Sequence, residues 1–250
     1  MTLTLSDQKP FARGGNRLCF VHPEDAEKCI KVRRPDFTLE DRRRKKGFPK
    51  NLKPLSSFDD NQEEFTVMQQ LMNSYGERVF GHVSHCFGFV ETDLGKGLIS
   101  ELIRDTDGAI SQTLKKYLWD HGLTDECKAA IKDLCDFWER EAVPSRDLLL
   151  HNIVAQRIQG DRISRLVVID GLGSAGLIPL NWLPKSQRKK KAARKTANLH
   201  QRIGTLLDQR GQDTFPGYHG LLLHDDRPTS KKPNSNNDSF QHEPGGPASS

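Results

Sequence analysis

The hydrophobic period of this chain changes once, and that change limits the folds open to it. Up to residue 103 the apolar residues come in short runs: Leu18-Cys19-Phe20-Val21, Cys29-Ile30-Lys31-Val32, residues 86–90 and residues 98–103. Each run suits a strand, and turn residues such as His22-Pro23-Glu24-Asp25 separate them. Leu3 with Leu5, and Val79-Phe80, read as further strands or strand ends. Only residues 62–73 carry a helical repeat here, with Glu64, Met68, Leu71 and Met72 on one face and an N-cap within 59–61. Residues 35–54, basic and punctuated by proline, read as a loop. Beyond residue 108 the period becomes helical. Residues 111–119 form one expected helix. Residues 124–143 form another, with Cys127, Ile131, Leu134, Cys135, Trp138 and Ala142 on its stripe, Thr124 as its cap and Pro144 as its stop. In residues 186–208 the series Ala192, Thr196, Leu199, Ile203, Leu206 marks a third. Two short strands, 153–156 and 166–169, are expected to meet at a Gly160-Asp161 turn.

The pattern predicts an α+β chain. Residues 1–103 are expected to form an antiparallel sheet with one helix, and residues 104–207 a mostly helical unit. Residues 208–250 read as a polar tail, largely disordered, because beyond Asp225 there is almost nothing to bury. No apolar stretch approaches the roughly 18–20 residues that span a bilayer, and Met1-Thr-Leu-Thr-Leu-Ser lacks the marks of a secretory signal. The five cysteines are odd in number and contain no C-x-x-C, which suits reduced thiols and a cytoplasmic location. The formal charge of +5 is spread over a chain that is 28% charged, so it does not by itself announce a nucleic-acid binder.

The chemistry concentrates in Ser145-Arg146-Asp147-Leu148-Leu149-Leu150-His151-Asn152, between the long helix and a short strand. There Asp147 can take a proton from an acceptor hydroxyl, and the Asn152 oxygen can reach a metal bound to phosphates. Asp170 follows a buried strand and offers a second metal ligand. Upstream, Gly14 and Gly15 lie in a turn able to cover phosphates, Lys31 has the strand context of a phosphate-pairing lysine, and Glu64 is placed to pair with it. In this order, with these contexts, the chain resembles the protein-kinase-like superfamily, and more narrowly the bacterial YrbL family of PhoP regulatory network proteins. The resemblance rests on the Gly-Gly-x-Arg turn, the His-Pro-Glu-Asp turn before Ile30-Lys31-Val32, Arg146-Asp147-x4-Asn152 and Val168-Ile169-Asp170-Gly171.

That resemblance implies a bilobal kinase-like fold and a Mg2+-dependent, ATP-binding phosphotransferase with a bacterial regulatory or stress role. Lys31, Asp147 and Asn152 would be catalytic, Asn152 and Asp170 would hold the metal, and Gly14, Gly15, Lys31, Glu64, Glu101 and Ile103 would contact nucleotide. The adenine is expected against backbone groups of residues 101–103, over a bed to which Leu98 and Ile99 contribute. The phosphate acceptor, small molecule or protein, is not specified, although the short segment after Asp170 leaves little platform for a peptide. Two other readings stand: a catalytically silent pseudo-kinase regulator, and a basic nucleic-acid-binding protein. The acid-free run 185–202 could also meet an acidic partner. Gly171 to Gly176 matches the dinucleotide fingerprint, but Pro179 and Pro184 forbid the helix that motif needs. His82, His85 and Cys86 lack the partners of a zinc site.

Overall fold

The computed structural model describes residues 2–159, 162–173 and 184–224. Five strands form one antiparallel sheet: β1 (Ala12–Arg13), β2 (Arg17–His22), β3 (Asp25–Arg33), β4 (Cys86–Thr92) and β5 (Gly95–Glu101), in the order β1-β2-β3-β5-β4. A second pair, β6 (Ile153–Arg157) and β7 (Ile163–Val168), lies apart from it. The helices among the described residues are α1 (Leu39–Lys46), α2 (Asp60–Tyr75), α3 (Leu114–His121), α4 (Asp125–Glu141) and α5 (Lys185–Gln209). None is long and apolar enough to cross a membrane.

One face of the large sheet buries Phe20, Ile30 and Val32 together with Leu3 and Leu5. Leu3 makes a single bridge to Thr92 in place of the expected strand, and Leu5 is held where its N–H donates to Asp93 (2.7 Å). The main core is built from α3, α4, α5 and the β6–β7 pair, around Leu134, Trp138, Leu148, Ile153, Leu166 and Leu199. The stripe Ala192, Thr196, Leu199, Ile203 and Leu206 is buried, as its spacing requires. Met68 and Leu71 of α2 join this same core, while Phe65 meets Phe89 of β4 with ring centroids 5.1 Å apart. Helix α2 therefore touches both the sheet and the helical part.

Several expectations need correction. The basic segment 35–54 is not all loop. Thr38 and Asp41 form a capping box that starts α1, so two helices accompany the sheet where one was expected. Val79 and Phe80 lie in a 3-10 turn (Gly76–Gly81) and not in a strand, because glycines bracket them and no alternation continues. Met72 is 38% exposed, on the solvent side of α2. The end of α4 is set by Ala142 in the left-handed conformation, ahead of Pro144.

The polar tail begins later than expected. After α5 the chain turns back, and Phe215 packs edge-on against Trp119. Thr113 donates to the Gly220 carbonyl (2.8 Å), and the Leu223 N–H donates to the Phe11 carbonyl (2.7 Å). Leu222 joins the cluster of Phe11, Cys29, Leu102 and Ile110. Residues 210–224 are thus a strap that runs from α3 to the edge of the sheet. The Gly160-Asp161 turn, Gly176, Pro179 and everything from Asp225 onward lie outside the described residues.

Candidate functional site

A cavity of about 260 Å³ opens between the sheet and the helical part. The sequence-derived candidates Gly14, Gly15, Lys31, Glu101, Ile103, Asn152 and Asp170 all border it. Its apolar surface comes from Phe11, Leu102, Ile103, Ile110, Val154 and Ile169. Leu98 and Ile99, expected in that bed, are not among the bordering residues; Ile99 packs on the opposite sheet face with Ile30 and Val32. Strand alternation explains Ile99, which pairs with Ile30 on the face away from Lys31, whereas Leu98 pairs with Lys31 and is fully buried.

Lys31 is buried toward the C-terminal end of β3, and its Nζ donates to Glu64 Oε1 (2.6 Å) and to the Ile169 carbonyl (3.2 Å). Burial works against its charge, but Glu64 outweighs it, and the ammonium is held above its usual range. Glu64 is pushed up by burial and brought lower on balance by Arg17 and Lys31. Asn61, at the start of α2, fixes the geometry: its amide donates to the Lys31 carbonyl (2.8 Å) and its oxygen accepts from Arg17 (3.1 Å).

Arg17 is the residue that sequence reasoning undervalued. From the strand that follows the glycine turn, its guanidinium reaches Glu64 (2.5 Å) and Asp170 (3.0 Å). The Gly-Gly-x-Arg spacing was visible, but nothing local said that its side chain would fold inward over the cavity. Arg146 adds a contact of 3.2 Å to Glu63 and one of 3.9 Å to Asp170. Burial would raise the Asp170 carboxyl, yet Arg17, Lys31 and the Gly171 N–H hold it at about 2. It is ionised at any physiological pH.

The two loops that carry Asp147, Asn152 and Asp170 lie back to back. The Arg146 N–H donates to the Gly171 carbonyl (2.7 Å), and the Ile169 N–H donates to the Asn152 carbonyl (2.9 Å). Gly171 makes this possible. Its φ is +81°, and a Cβ there would stand 2.8 Å from the Asp147 carbonyl oxygen. Gly14 and Gly15 are not in the positive-φ region, and a Cβ at Gly15 would meet nothing within 4 Å.

Asp147 sits outside the cavity border, on the α5 side. Both its oxygens are taken by Arg202, at 3.1 and 2.6 Å, and Lys195 lies 3.9 Å away. Lys195 and Arg202 are two helical turns apart, beside the buried stripe, so both reach the same loop. Lys195 also donates to the Arg146 carbonyl. Sequence reading saw these two only as part of a basic run. The Glu101 carboxylate turns away from the cavity to the His85 N–H (2.9 Å) and Arg165 (3.0 Å). Its N–H donates to His85, the Leu102 N–H to Glu27, and the Ile103 carbonyl accepts from Ser111. His82, weighed against zinc, bonds the Leu166 carbonyl (2.9 Å) and faces Asp133 (3.4 Å). Among the described residues no group of three or more His, Cys, Asp or Glu is placed to hold a metal by itself.

The family model described as PhoP regulatory network protein YrbL matches residues 3–204. The uncharacterized protein YrbL of Escherichia coli (strain K12) is 28% identical over 184 residues, covering 71% of this chain and 77% of that protein. The uncharacterized protein YrbL of Shigella flexneri aligns with the same identity and the same coverage.

Proposed function

Because the chain belongs to the PhoP regulatory network protein YrbL family, we propose that it is a regulatory protein with a bilobal kinase-like fold that binds Mg-ATP and transfers its terminal phosphoryl group. The regulatory part follows from the family description. The phosphotransfer part is carried by one observation: the buried Lys31, paired with Glu64, borders the same cavity as Asp170 and Asn152. In this reading residues 1–103 and 104–207 are the two lobes, and the nucleotide lies between them.

The residues fit a magnesium nucleotide. Magnesium keeps several waters and needs only one or two protein oxygens beside the phosphates, and Asn152 and the ionised Asp170 supply them. When bound it neutralises charge on the phosphates. Lys31 pairs with the phosphates while Glu64 holds it in place. Gly14 and Gly15 let backbone approach the phosphates, and the bare surface around Gly15 suits that use. Phe11, Leu102, Ile103 and Ile110 offer the adenine an apolar slot. Asp147 orients the acceptor hydroxyl and takes its proton.

A specific observation favours a second reading. Arg17 occupies Asp170, and Arg202 occupies both oxygens of Asp147. A silent regulator would keep both aspartates in that state. Calorimetric Mg-ATP binding and ADP release, measured on the parent, Lys31→Ala, Asp147→Asn and Asp170→Asn, decide between them. Lys31→Ala and Asp170→Asn should weaken binding. Asp147→Asn should bind normally and lose roughly 10²-fold or more in turnover. A parent that binds but never turns over is a silent, nucleotide-binding regulator, and one that binds no nucleotide refutes phosphotransfer and leaves a regulator on the same fold.

A further inference from the structure

A second cavity, of about 550 Å³, lies on the other side of the Asp147 loop. Lys115 of α3, His151, and Asn198, Gln201, Arg202 and Thr205 of α5 provide its polar surface. His151 borders both cavities, and Arg202, which lines the second, holds Asp147, so the loop that carries Asp147 and Asn152 lies between the two spaces. Among the described residues no carboxylate borders the second cavity. Its polar groups are the amides of Asn198, Gln201 and Gln209 and the Thr205 hydroxyl, which bind hydroxyls in either direction, and Arg202, which binds an anion, while the Lys115 ammonium is engaged by the Pro216 and His219 carbonyls. Its size falls in the range of small-molecule sites.

We propose that this cavity is the acceptor site, and that its ligand is a small polyhydroxylated anion: a hydroxyl-rich carbon skeleton bearing a carboxylate or phosphate. The assignment rests on the phosphotransfer reading above and names its substrate class. Arg202 supplies the selectivity. Its planar fork holds the Asp147 carboxylate through both arms, and a ligand carboxylate or phosphate is the same kind of partner for it. An anionic ligand draws the fork away and leaves Asp147 open to a ligand hydroxyl. A neutral polyol leaves Arg202 where it is. Asn198, Gln201 and Thr205 then grip the remaining hydroxyls. In the transfer, the ligand hydroxyl oxygen bonds to the γ-phosphorus of ATP as the bond from that phosphorus to the β,γ-bridging oxygen breaks. The hydroxyl proton passes to Asp147 and then to water, and the products are a phosphomonoester, ADP and one proton.

The test uses the full chain with gluconate, glucuronate, glucose 6-phosphate, sorbitol, glucose and a serine-containing peptide as probes. Melting shifts are read with and without magnesium and a non-hydrolysable ATP analogue, and ADP release is read with Mg-ATP. At least one anionic polyol should raise the melting temperature and stimulate ADP release tenfold or more, with sorbitol and glucose inert. The sugar-acid and sugar-phosphate arms tell carboxylate from phosphate. Asn198→Ala with Gln201→Ala should raise KM for that probe about tenfold while Mg-ATP affinity stays within twofold. Arg202→Gln should abolish the preference for anions. Equal turnover of a neutral polyol or of the peptide overturns the assignment. So does the absence of any anionic-polyol shift in protein that binds the ATP analogue. If the analogue does not bind but an anionic polyol still shifts the parent and not the double variant, the cavity assignment survives as an anion site and the phosphotransfer reading alone fails.

Discussion

Replacing Glu64 by glutamine removes one negative charge from a tightly enclosed ion group. Its side chain is 11% exposed, and it faces Lys31 at 8% and Arg17 at 13%. Glutamine fills nearly the same space, so packing is preserved and the charge is what changes. Two buried cations would then share Asp170 alone, whose own side chain is 40% exposed. Breaking a buried pair from one side costs about 3–5 kcal/mol, because the remaining charge stays desolvated without compensation. At about 2–4 °C per kcal/mol for a chain of this size, melting should fall by roughly 6–20 °C. Urea unfolding of the parent, Glu64→Gln, Lys31→Met and the double variant measures this. The double variant should be less damaged than the sum of the singles by about 1–3 kcal/mol, since one change removes the reason for the other's cost. Asp25→Asn, which removes an exposed pair with Lys28, serves as control and should leave the curve where it is. A Glu64→Gln loss below about 1 kcal/mol would refute the reasoning, because it would mean that water reaches Lys31 and Arg17 freely.

Acid should act through Asp170. Its carboxyl is held at about 2, below the ordinary aspartate value of about 3.9 in the unfolded chain. The stability it contributes is therefore complete above about pH 4 and is lost as the pH falls toward 2. Asp170→Asn should flatten the acid limb of a stability profile in that window, and an unchanged limb would refute the shift. Gly171→Ala should destabilise by about 2 kcal/mol or more, since it combines a positive φ with a Cβ 2.8 Å from the Asp147 carbonyl oxygen; chemical denaturation tests this, and wild-type stability would count against the backbone approach. Leu222→Asp drives a carboxylate into the cluster of Phe11, Cys29, Leu102 and Ile110. A melting temperature lower by roughly 4–8 °C is expected, and no change would show that the strap is not docked.

The sequence carried the regular elements best where one face is buried over many turns. The stripe of α5 is the clearest case, because five positions spaced three and four apart leave no other face to bury. Helix α1 was illegible for the opposite reason. Leu39-Glu40-Asp41-Arg42-Arg43-Arg44-Lys45-Lys46 has no apolar periodicity, and what holds it is the Thr38–Asp41 cap and the buried Arg42 paired with Glu63 and Asp60 of α2. Long-range ion pairs leave no local mark. The same limit hid Arg17 and Arg202, which meet Asp170 and Asp147 from 153 and 55 positions away. By contrast, Lys31, Glu64, Asn152 and Asp170 were legible because each sits at a fixed offset from a strand or helix that periodicity identifies. The strap offered a signal that was passed over. Phe215, Tyr218 and Leu221-Leu222-Leu223 make an apolar cluster in a segment otherwise read as tail.

The strap also changes how opening and closing of the cleft must be counted. His219, Gly220, Leu221 and Leu222 form one wall of the smaller cavity, while the same segment is fastened to Thr113 on one side and to Phe11 on the other. The sheet and the helical part are therefore joined by a second, non-covalent connection, beside the covalent one through residues 102–113. A hinge with one tether swings freely, whereas a hinge with two can open only if one of them lets go. Detachment of residues 210–224 and widening of the cleft are then a single equilibrium. Whatever ligand fills the cavity must protect the strap from proteases by the same factor that strap docking adds to the ligand's affinity.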